Sequence, residues 1–298
     1  MTKQKAQVAK FRKVITSVIV IAIFLLPAFL TINWAYGVFG GKDHRKTLTD
    51  QPANNDSQTN GKDLKPFDEP IITITFDDGW ESAYSEGLPI LNKYGLKTTQ
   101  YVLGDQFKDP QYMSEAQIRS LVAGGHEIGA HTMSHSDLTT LTEDKLTWEL
   151  SEPDRRLSAL TGYDIKEFAT PLGASNNTVV AHTQKYYRSL RNTDVDPAIV
   201  GDEDLNLPGF NPNNINAYTV RDTTTIEDLQ KLIDYTIKRK GWLVLTYHQV
   251  GDHPSHWAVS QQALDTQMKL VKDSRIRSAT MGQVLNAIDA AKEKKRGT

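Results

Sequence analysis

The chain has 298 residues, of which 39% are hydrophobic and 23% are charged, which is the composition of a protein that buries a core. Residues 1–40 carry five cations and no acid, and this leaves 29 Lys and Arg against 36 Asp and Glu, a net charge of −7, on residues 41–298. An acidic folded part argues against nucleic-acid binding. The lack of cysteine excludes a disulfide scaffold, a cysteine nucleophile and a cysteine-ligated metal site.

The first 69 residues predict a membrane anchor followed by a tether. Residues 14–36 carry no charged side chain and, at about 1.5 Å per residue, are long enough to cross the hydrocarbon core of a bilayer. Because all five cations precede this span, residues 1–13 are expected to be a cytoplasmic basic tail and the remainder to lie outside the cell. A cleaved signal peptide is the alternative, but no clear small-x-small site follows the span. Residues 37–69 are largely polar and predict a flexible linker.

Residues 70–292 alternate between strand-like and helix-like segments. The predicted strands are 71–76, 98–103, 127–130, 168–170, 187–191, 217–220 and 242–247, and the predicted helices are 82–94, 114–123, 143–161, 226–239, 261–272 and 280–291. Capping boxes at Ser114–Gln117 and Thr280–Gln283 mark two helix starts, and Pro153 predicts a kink or break. About seven such units predict a parallel α/β barrel, in which functional residues lie just after the strands.

The first candidate motif is Thr75-Phe-Asp-Asp-Gly79, directly after the first predicted strand. Asp-Gly is common in turns, but a turn needs only one aspartate. Two adjacent carboxylates at a buried strand end repel each other and lose solvation. A cation close to Asp77 and Asp78 would resolve that repulsion.

The second motif, His131-Thr-Met-Ser-His135, follows the predicted strand 127–130. If this stretch turns helically, the two histidines at positions i and i+4 share one face and reach one metal ion. A carboxylate from the first motif completes a set of two histidines and one carboxylate. Such a set leaves coordination positions open on zinc or a similar divalent ion, as hydrolysis requires.

Two further segments also follow predicted strands. His248 ends the strand 242–247 and suits proton donation to a leaving group, with a third metal ligand or a histidine at the rim as alternatives. Pro171-Leu-Gly173 predicts a tight turn that points a backbone N–H into the site. An ordinary strand–helix turn is the alternative interpretation of that segment.

These four segments, in this order, resemble the polysaccharide deacetylases of carbohydrate esterase family 4. The matching stretches are Thr75–Gly79, His131–His135, Pro171–Gly173 and Leu245–His248. The resemblance covers about residues 70–290. It implies a catalytic domain with a distorted (β/α)7–8 barrel, here preceded by the predicted transmembrane helix.

The family also implies roles for individual residues. By match, Asp78, His131 and His135 are expected to bind a divalent metal, usually zinc. Asp77 would be the general base, and His248 the general acid.

Four more residues complete the expected site. The backbone N–H of Leu172 would help to hold the oxyanion. Trp80, Pro171 and Tyr247 are expected near the substrate, Trp80 by stacking on a sugar face or by packing beside the site, and Tyr247 by filling the barrel or the pocket wall.

The chain departs from the family pattern in two respects. The family arginine that contacts the base is Ala169 here, and its tyrosine is Leu172. Arg191 or Arg221, each near a predicted strand end, is the candidate substitute. The candidates for an aspartate behind His248 are Asp194, Asp196 and Asp222.

The leading hypothesis is a membrane-anchored, outward-facing monomer that removes N-acetyl groups from a GlcNAc-containing polysaccharide such as peptidoglycan or secreted poly-GlcNAc. An O-acetyl esterase acting on xylan or a similar polymer is the alternative with the same fold. A glycan-binding protein that has lost turnover is the alternative from another class.

Overall fold

The computed structural model describes residues 64–193, 201–202 and 205–296. The predicted tail, the predicted span and residues 37–63 of the predicted linker lie outside these ranges. So do Asp194 and Asp196. Within the described ranges, no helix is both long enough and apolar enough to cross a membrane.

The folded domain begins earlier than predicted. Leu64 is buried, and the ring of Phe67 packs against Phe210 with 6.2 Å between ring centroids. Residues 64–69 therefore belong to the folded domain and not to a linker.

The described residues form ten strands and seven α-helices. The strands are β1 (Ile71–Phe76), β2 (Thr98–Val102), β3 (Glu127–Ala130), β4 (Glu167–Ala169), β5 (Ser189–Arg191), β6 (Tyr218–Thr219), β7 (Trp242–Tyr247), β8 (Gln249–Val250), β9 (Ala258–Val259) and β10 (Arg277–Ser278). The helices are α1 (Leu88–Tyr94), α2 (Glu115–Ala123), α3 (Glu143–Thr161), α4 (Asn177–Thr183), α5 (Ile226–Arg239), α6 (Gln261–Asp273) and α7 (Met281–Arg296). A π-helix, Ala83–Gly87, leads into α1, and short 3₁₀ turns span Leu138–Thr140 and Pro171–Gly173.

Eight strands form one parallel sheet in the order β5-β4-β3-β2-β1-β7-β6, with β10 beside the first half of β1. β1 and β7 are neighbouring interior strands of this sheet, and every residue of both strands is buried. Strands that are buried on both faces read as continuous apolar runs, which is why both were predicted correctly. β8 and β9 form a separate pair after β7.

The sheet curls so that one short segment reaches both of its edges. The N–H of Ile215 donates to the carbonyl of Leu190, and the N–H of Asn192 donates to the carbonyl of Ile215, each at 2.9 Å, which ties this segment to β5. Three residues later the chain enters β6 and pairs with β7. The predicted α/β barrel therefore takes the form of a curled parallel sheet covered by helices.

The predicted helix 82–94 is a π-helix followed by α1, α4 was not predicted, and α3 and α7 differ from their predictions as follows. α3 runs unbroken through Pro153, which is buried in the middle of the helix. α7 extends to Arg296, beyond its predicted end. The capping box at Ser114 is confirmed, with its side chain and that of Gln117 each bonded to the other's backbone N–H.

A cluster of charged and polar groups closes the barrel at the amino ends of its strands. Glu127 accepts hydrogen bonds from Thr99 Oγ1 at 2.7 Å and from the N–H of Gly282, in the first turn of α7, at 3.0 Å. Glu167 pairs with Arg188 nearby. Desolvation, together with the Glu167 charge, raises the pKa of Glu127 to about 7. This cluster lies at the opposite end of the barrel from the predicted site.

Candidate metal centre and active site

Three predicted ligand side chains converge at the carboxyl ends of β1 and β3. The Oδ1 atom of Asp78 lies 3.3 Å from Nε2 of His131 and 3.2 Å from Nε2 of His135. The three donor atoms lie within 4.8 Å of one another, which is close enough for one divalent cation to contact all of them. Two imidazoles and one carboxylate are a donor set that suits zinc.

The ligands are held by unusual backbone conformations. The segment from His131 to His135 does not meet the condition of a helical turn, because Thr132 (φ 69°) and His135 (φ 60°) are left-handed. The Thr132 hydroxyl accepts a hydrogen bond from the N–H of His135 at 3.0 Å. Asp78 (φ 71°) and Leu172 (φ 60°) are left-handed as well. Such conformations are strained for residues other than glycine and persist only where the surrounding structure imposes them.

Neighbouring groups orient the ligand atoms. Nδ1 of His131 lies 2.8 Å from the carbonyl oxygen of Ala169, and with Nδ1 protonated the Nε2 lone pair faces Asp78. The indole N–H of Trp80 donates to Oδ2 of Asp78 at 2.8 Å, so that Oδ1 faces the imidazoles. The Trp80 ring is itself stacked on Tyr112, with 4.6 Å between centroids.

A buried carboxylate that sequence reasoning missed anchors the loop between the two histidines. Glu149 of α3 accepts hydrogen bonds from the N–H groups of Met133 at 2.8 Å and Ser134 at 3.1 Å. It also accepts a hydrogen bond from the Ser134 hydroxyl at 2.5 Å. The available signal was a glutamate on the apolar face of α3, close to Leu146 and Leu150.

Asp77 forms a buried ion pair with an arginine from a different strand. Nη2 of Arg191 lies 2.5 Å from Oδ2 of Asp77, and the two side chains are 0% and 3% exposed. Arg191 is the direct neighbour of Ala169 in the pairing of β5 with β4. Directly paired residues of neighbouring strands point to the same face, so the guanidinium missing at position 169 is supplied from the next strand. The other candidate, Arg221, instead lies over the ring of Trp257.

His248 follows β7, at the strand end next to Asp77. The N–H of Asp77 donates to the carbonyl of Tyr247 at 2.9 Å, which fixes these two strand ends side by side. Burial lowers the pKa of His248, while the Asp77 carboxylate partly opposes that shift. Nδ1 of His248 is buried without a hydrogen-bond partner in the described part of the chain. Asp222, one candidate partner, pairs with His256 at 2.8 Å instead.

The remaining predicted residues lie in different environments. Leu172 occupies the short turn after β4, and its side chain is largely exposed. Pro171 is buried, and Tyr247 is fully buried with its ring stacked on Phe76. Tyr247 therefore fills the barrel, which is one of the two places expected for it, and contact of Pro171 or Tyr247 with a substrate stays a prediction. Trp80 keeps part of its surface exposed.

The electrostatics favour a negative charge among the ligands. Burial disfavours ionised Asp78, but the contacts with the imidazoles of His131 and His135 outweigh it and hold the pKa of Asp78 well below its usual value. For His135, burial lowers the pKa, and the contact with Asp78 more than compensates. By contrast, burial lowers the pKa of His126 to about 3. Its Nδ1 atom contacts Thr98 Oγ1 at 2.8 Å, so this neutral histidine has a structural role.

Comparison with known proteins shows that this chain is similar to polysaccharide deacetylases. Residues 64–188 match the family described as polysaccharide deacetylase. The putative polysaccharide deacetylase YxkH of Bacillus subtilis is 27% identical over 124 residues, which cover 42% of this chain and 44% of YxkH. The peptidoglycan-N-acetylmuramic acid deacetylase PdaA of Bacillus subtilis is 28% identical over 164 residues, which cover 52% of this chain and 57% of PdaA. The chain thus spans about half the length of these two curated relatives.

A solved structure shares the fold. The peptidoglycan deacetylase PdaC from Bacillus subtilis superposes with a TM-score of 0.52 at 20% sequence identity, over 78% of this chain and 99% of that chain. At this identity the likeness concerns the fold alone, and it agrees with the curled parallel sheet described above.

Proposed function

Because this chain belongs to the polysaccharide deacetylase family, we propose that it hydrolyses N-acetyl groups of a GlcNAc-containing polysaccharide, either peptidoglycan or an exopolysaccharide, and releases acetate. One observation carries the proposal. The cluster of Asp78, His131 and His135 lies beside the buried pair of Asp77 and Arg191. A protein that only binds glycan needs neither the ligand set nor a buried carboxylate next to it.

A divalent metal, for which we propose zinc, would be held by Asp78, His131 and His135. When bound, it supplies a Lewis acid that polarises the acetyl carbonyl and makes water more acidic. The contact of His131 with the Ala169 carbonyl supports this assignment, because it directs Nε2 toward the other two donors.

The chain's own residues would then move the protons. Arg191 binds Oδ2 of Asp77, while Oδ1 is buried and has no partner among the described residues, so Oδ1 is the atom that accepts the proton of the attacking water. The N–H of Leu172 would donate to the oxyanion that forms on the carbonyl. His248 would donate a proton to the leaving nitrogen, so that the C–N bond breaks into acetate and a free amine.

Acetate release tests this function directly. The full chain with zinc would be offered chitooligosaccharide, peptidoglycan and acetylated xylooligosaccharide side by side, with Asp77→Asn as the control. We expect acetate from the GlcNAc polymers and a loss of about 10²- to 10⁴-fold in the variant. Release from the xylooligosaccharide alone would replace the proposal by an O-acetyl esterase, and zinc binding without any release would favour a glycan-binding protein.

We also propose that residues 14–36 anchor a monomer in the cell membrane in a single pass, with the domain outside. The uncharged span and the basic residues before it support this arrangement. A reporter enzyme that is active only in the cytoplasm, fused after residue 298, should be silent. Light scattering of the purified chain should give the mass of one 33.4 kDa protomer.

A further inference from the structure

Two loops meet at the rim of the site on the side of His248. The loop after β6 begins at Val220, whose N–H donates to the carbonyl of Thr246 at 2.8 Å. The N–H of Asp222 in that loop donates to the carbonyl of His256, and the Asp222 carboxylate pairs with the His256 imidazole. The rim is therefore tied together at several points, which fixes the side chains that it presents.

Trp257 presents an exposed aromatic surface next to His248. The residue is 43% exposed, and its ring centroid lies 5.5 Å from that of His248. An exposed indole at the rim of a site offers an apolar face to a ligand. The apolar face of a pyranose ring packs against such a surface, so Trp257 is placed to hold a sugar beside the imidazole.

Arg221 adds a positive charge to the same surface. Its guanidinium carbon lies 4.8 Å from the centre of the Trp257 ring. The side chain is exposed, and no carboxylate in the described part of the chain lies within ion-pair distance of it. A guanidinium that packs over an aromatic ring keeps its in-plane N–H groups available for a bidentate bond to a carboxylate.

The adjacent carboxylate does not neutralise this charge. Asp222 is next to Arg221 in the chain, but its Oδ1 atom is bonded to Nδ1 of His256 at 2.8 Å. The rim thus combines a cation that has no carboxylate partner among the described residues with an exposed aromatic ring, a pair that matches a sugar carrying a carboxylate.

We propose that Arg221 and Trp257 form a subsite for a carboxylate-bearing sugar next to the acetylated sugar, so that the preferred substrate is an acidic glycan. This inference rests on the proposed function, because His248 next to Trp257 is taken to face the leaving nitrogen. The carboxylate has two possible sources, the lactyl group of N-acetylmuramic acid or the carboxyl group of a uronic acid. Unmodified chitin carries neither.

The test compares matched oligosaccharides on the full chain loaded with zinc. An N-acetylated oligosaccharide with lactyl carboxylates, one with uronic acid carboxylates, and a carboxyl-reduced form of each would be compared by kcat/KM. The variants are Arg221→Gln and Arg221→Lys, with Lys238→Gln as a control that removes an exposed cation from α5.

We expect the acidic oligosaccharide from one source to be preferred over its reduced form by about 10-fold to 100-fold, the range that corresponds to one charge-assisted hydrogen bond. Arg221→Gln should abolish that preference, Arg221→Lys should restore part of it, and Lys238→Gln should leave it intact. The source whose reduction removes the preference is the carboxylate that the subsite binds.

Equal kcat/KM for acidic and reduced forms, or an equal loss of preference in Arg221→Gln and Lys238→Gln, would overturn the subsite while leaving deacetylation intact. If no oligosaccharide releases acetate, the proposed function fails instead. Calorimetry then decides the subsite separately. The subsite is supported if the dissociation constant is lower for the acidic form and if this difference depends on Arg221. Equal dissociation constants for the two forms refute the subsite.

Discussion

Replacing Arg191 by leucine should destabilise the domain by about 4 kcal/mol. The guanidinium is fully buried, and it is the ion-pair partner of Asp77, whose side chain is 3% exposed. Without Arg191, the Asp77 carboxylate stays in the protein interior with no counter-charge, and removal of one member of a buried ion pair costs about 3–5 kcal/mol. Coulomb's law gives a similar figure, roughly 4 kcal/mol for unit charges about 4 Å apart at an effective dielectric constant of about 20.

The pair itself contributes much less than the cost of breaking it, because burying both charges requires desolvation. The double variant Arg191→Leu with Asp77→Asn should therefore recover about 2–3 kcal/mol relative to the sum of the two single changes. Moving the arginine back by one strand, as Ala169→Arg with Arg191→Ala, should recover part of the stability lost in Arg191→Ala, because the two positions are direct neighbours.

Equilibrium unfolding in urea, followed by circular dichroism with a chelator present, measures each free energy of unfolding. Arg119→Leu is the matched control, since its pair with Glu115 has a distance of 2.8 Å but is more than half exposed, and its loss should change stability by less than about 1 kcal/mol. Additive single effects, or an Arg191→Leu variant no less stable than the Arg119→Leu control, would refute the reasoning.

Glu149→Gln should weaken zinc binding about 10-fold to 100-fold in a chelator competition, because the amide group replaces one accepting oxygen by an N–H donor that faces backbone N–H groups. The control Glu152→Gln, on the same helix, should bind zinc normally. Trp80→Phe should weaken zinc binding about 3-fold to 10-fold, because Asp78 loses its indole donor, and an unchanged affinity would contradict that role. Zinc at about 100 times its dissociation constant should raise the stability of the metal-free chain by about 3 kcal/mol, seen as a higher Tm. Because the pKa of Glu127 is raised to about 7, the folded chain keeps a proton on this group in a pH range where the unfolded chain has lost it. The free energy of unfolding should therefore fall as pH rises from about 4.5 to about 7, by on the order of 3 kcal/mol. Glu127→Gln should flatten that dependence, and an equally steep profile in the variant would exclude this group as its cause.

The strand ends and their motifs could be predicted from the sequence, because both signals are local. β1 and β7 are short runs rich in apolar and β-branched residues, all three of β1, β3 and β7 are followed at once by polar residues, and their observed bounds equal the predicted ones. The partner of Asp77 was not predictable in this way. The choice between Arg191 and Arg221 depends on which strand pairs with β4 and in which register, and that information is not local.

Side-chain direction decides where in the barrel Tyr247 packs. Successive residues of a strand point to opposite faces, so Tyr247 packs against Phe76 in the apolar layer of β1 and β7. Pro153 shows tertiary packing overriding a local rule, because the ring lies against Gly104 on the buried face of an otherwise regular helix. The hydrogen bonds of Glu149 connect α3 to the loop between the two histidines, and the hydrogen bond of Trp80 depends on the left-handed turn at Asp78. Neither could be predicted from the spacing of residues in the sequence.

The left-handed backbone at Asp78, Thr132, His135 and Leu172 has a consequence for heat tolerance. Glycine adopts this conformation without the steric penalty of about 1–2 kcal/mol that other residues carry. A search for more thermostable variants would therefore be drawn to these positions, yet glycine at Asp78 or His135 would delete a candidate metal ligand, and glycine at Thr132 would delete the hydroxyl that fixes His135. At three of the four positions the domain therefore retains a strained residue whose side chain serves the site. Selection for heat resistance favours glycine at these positions, whereas selection for turnover favours the residues that are present.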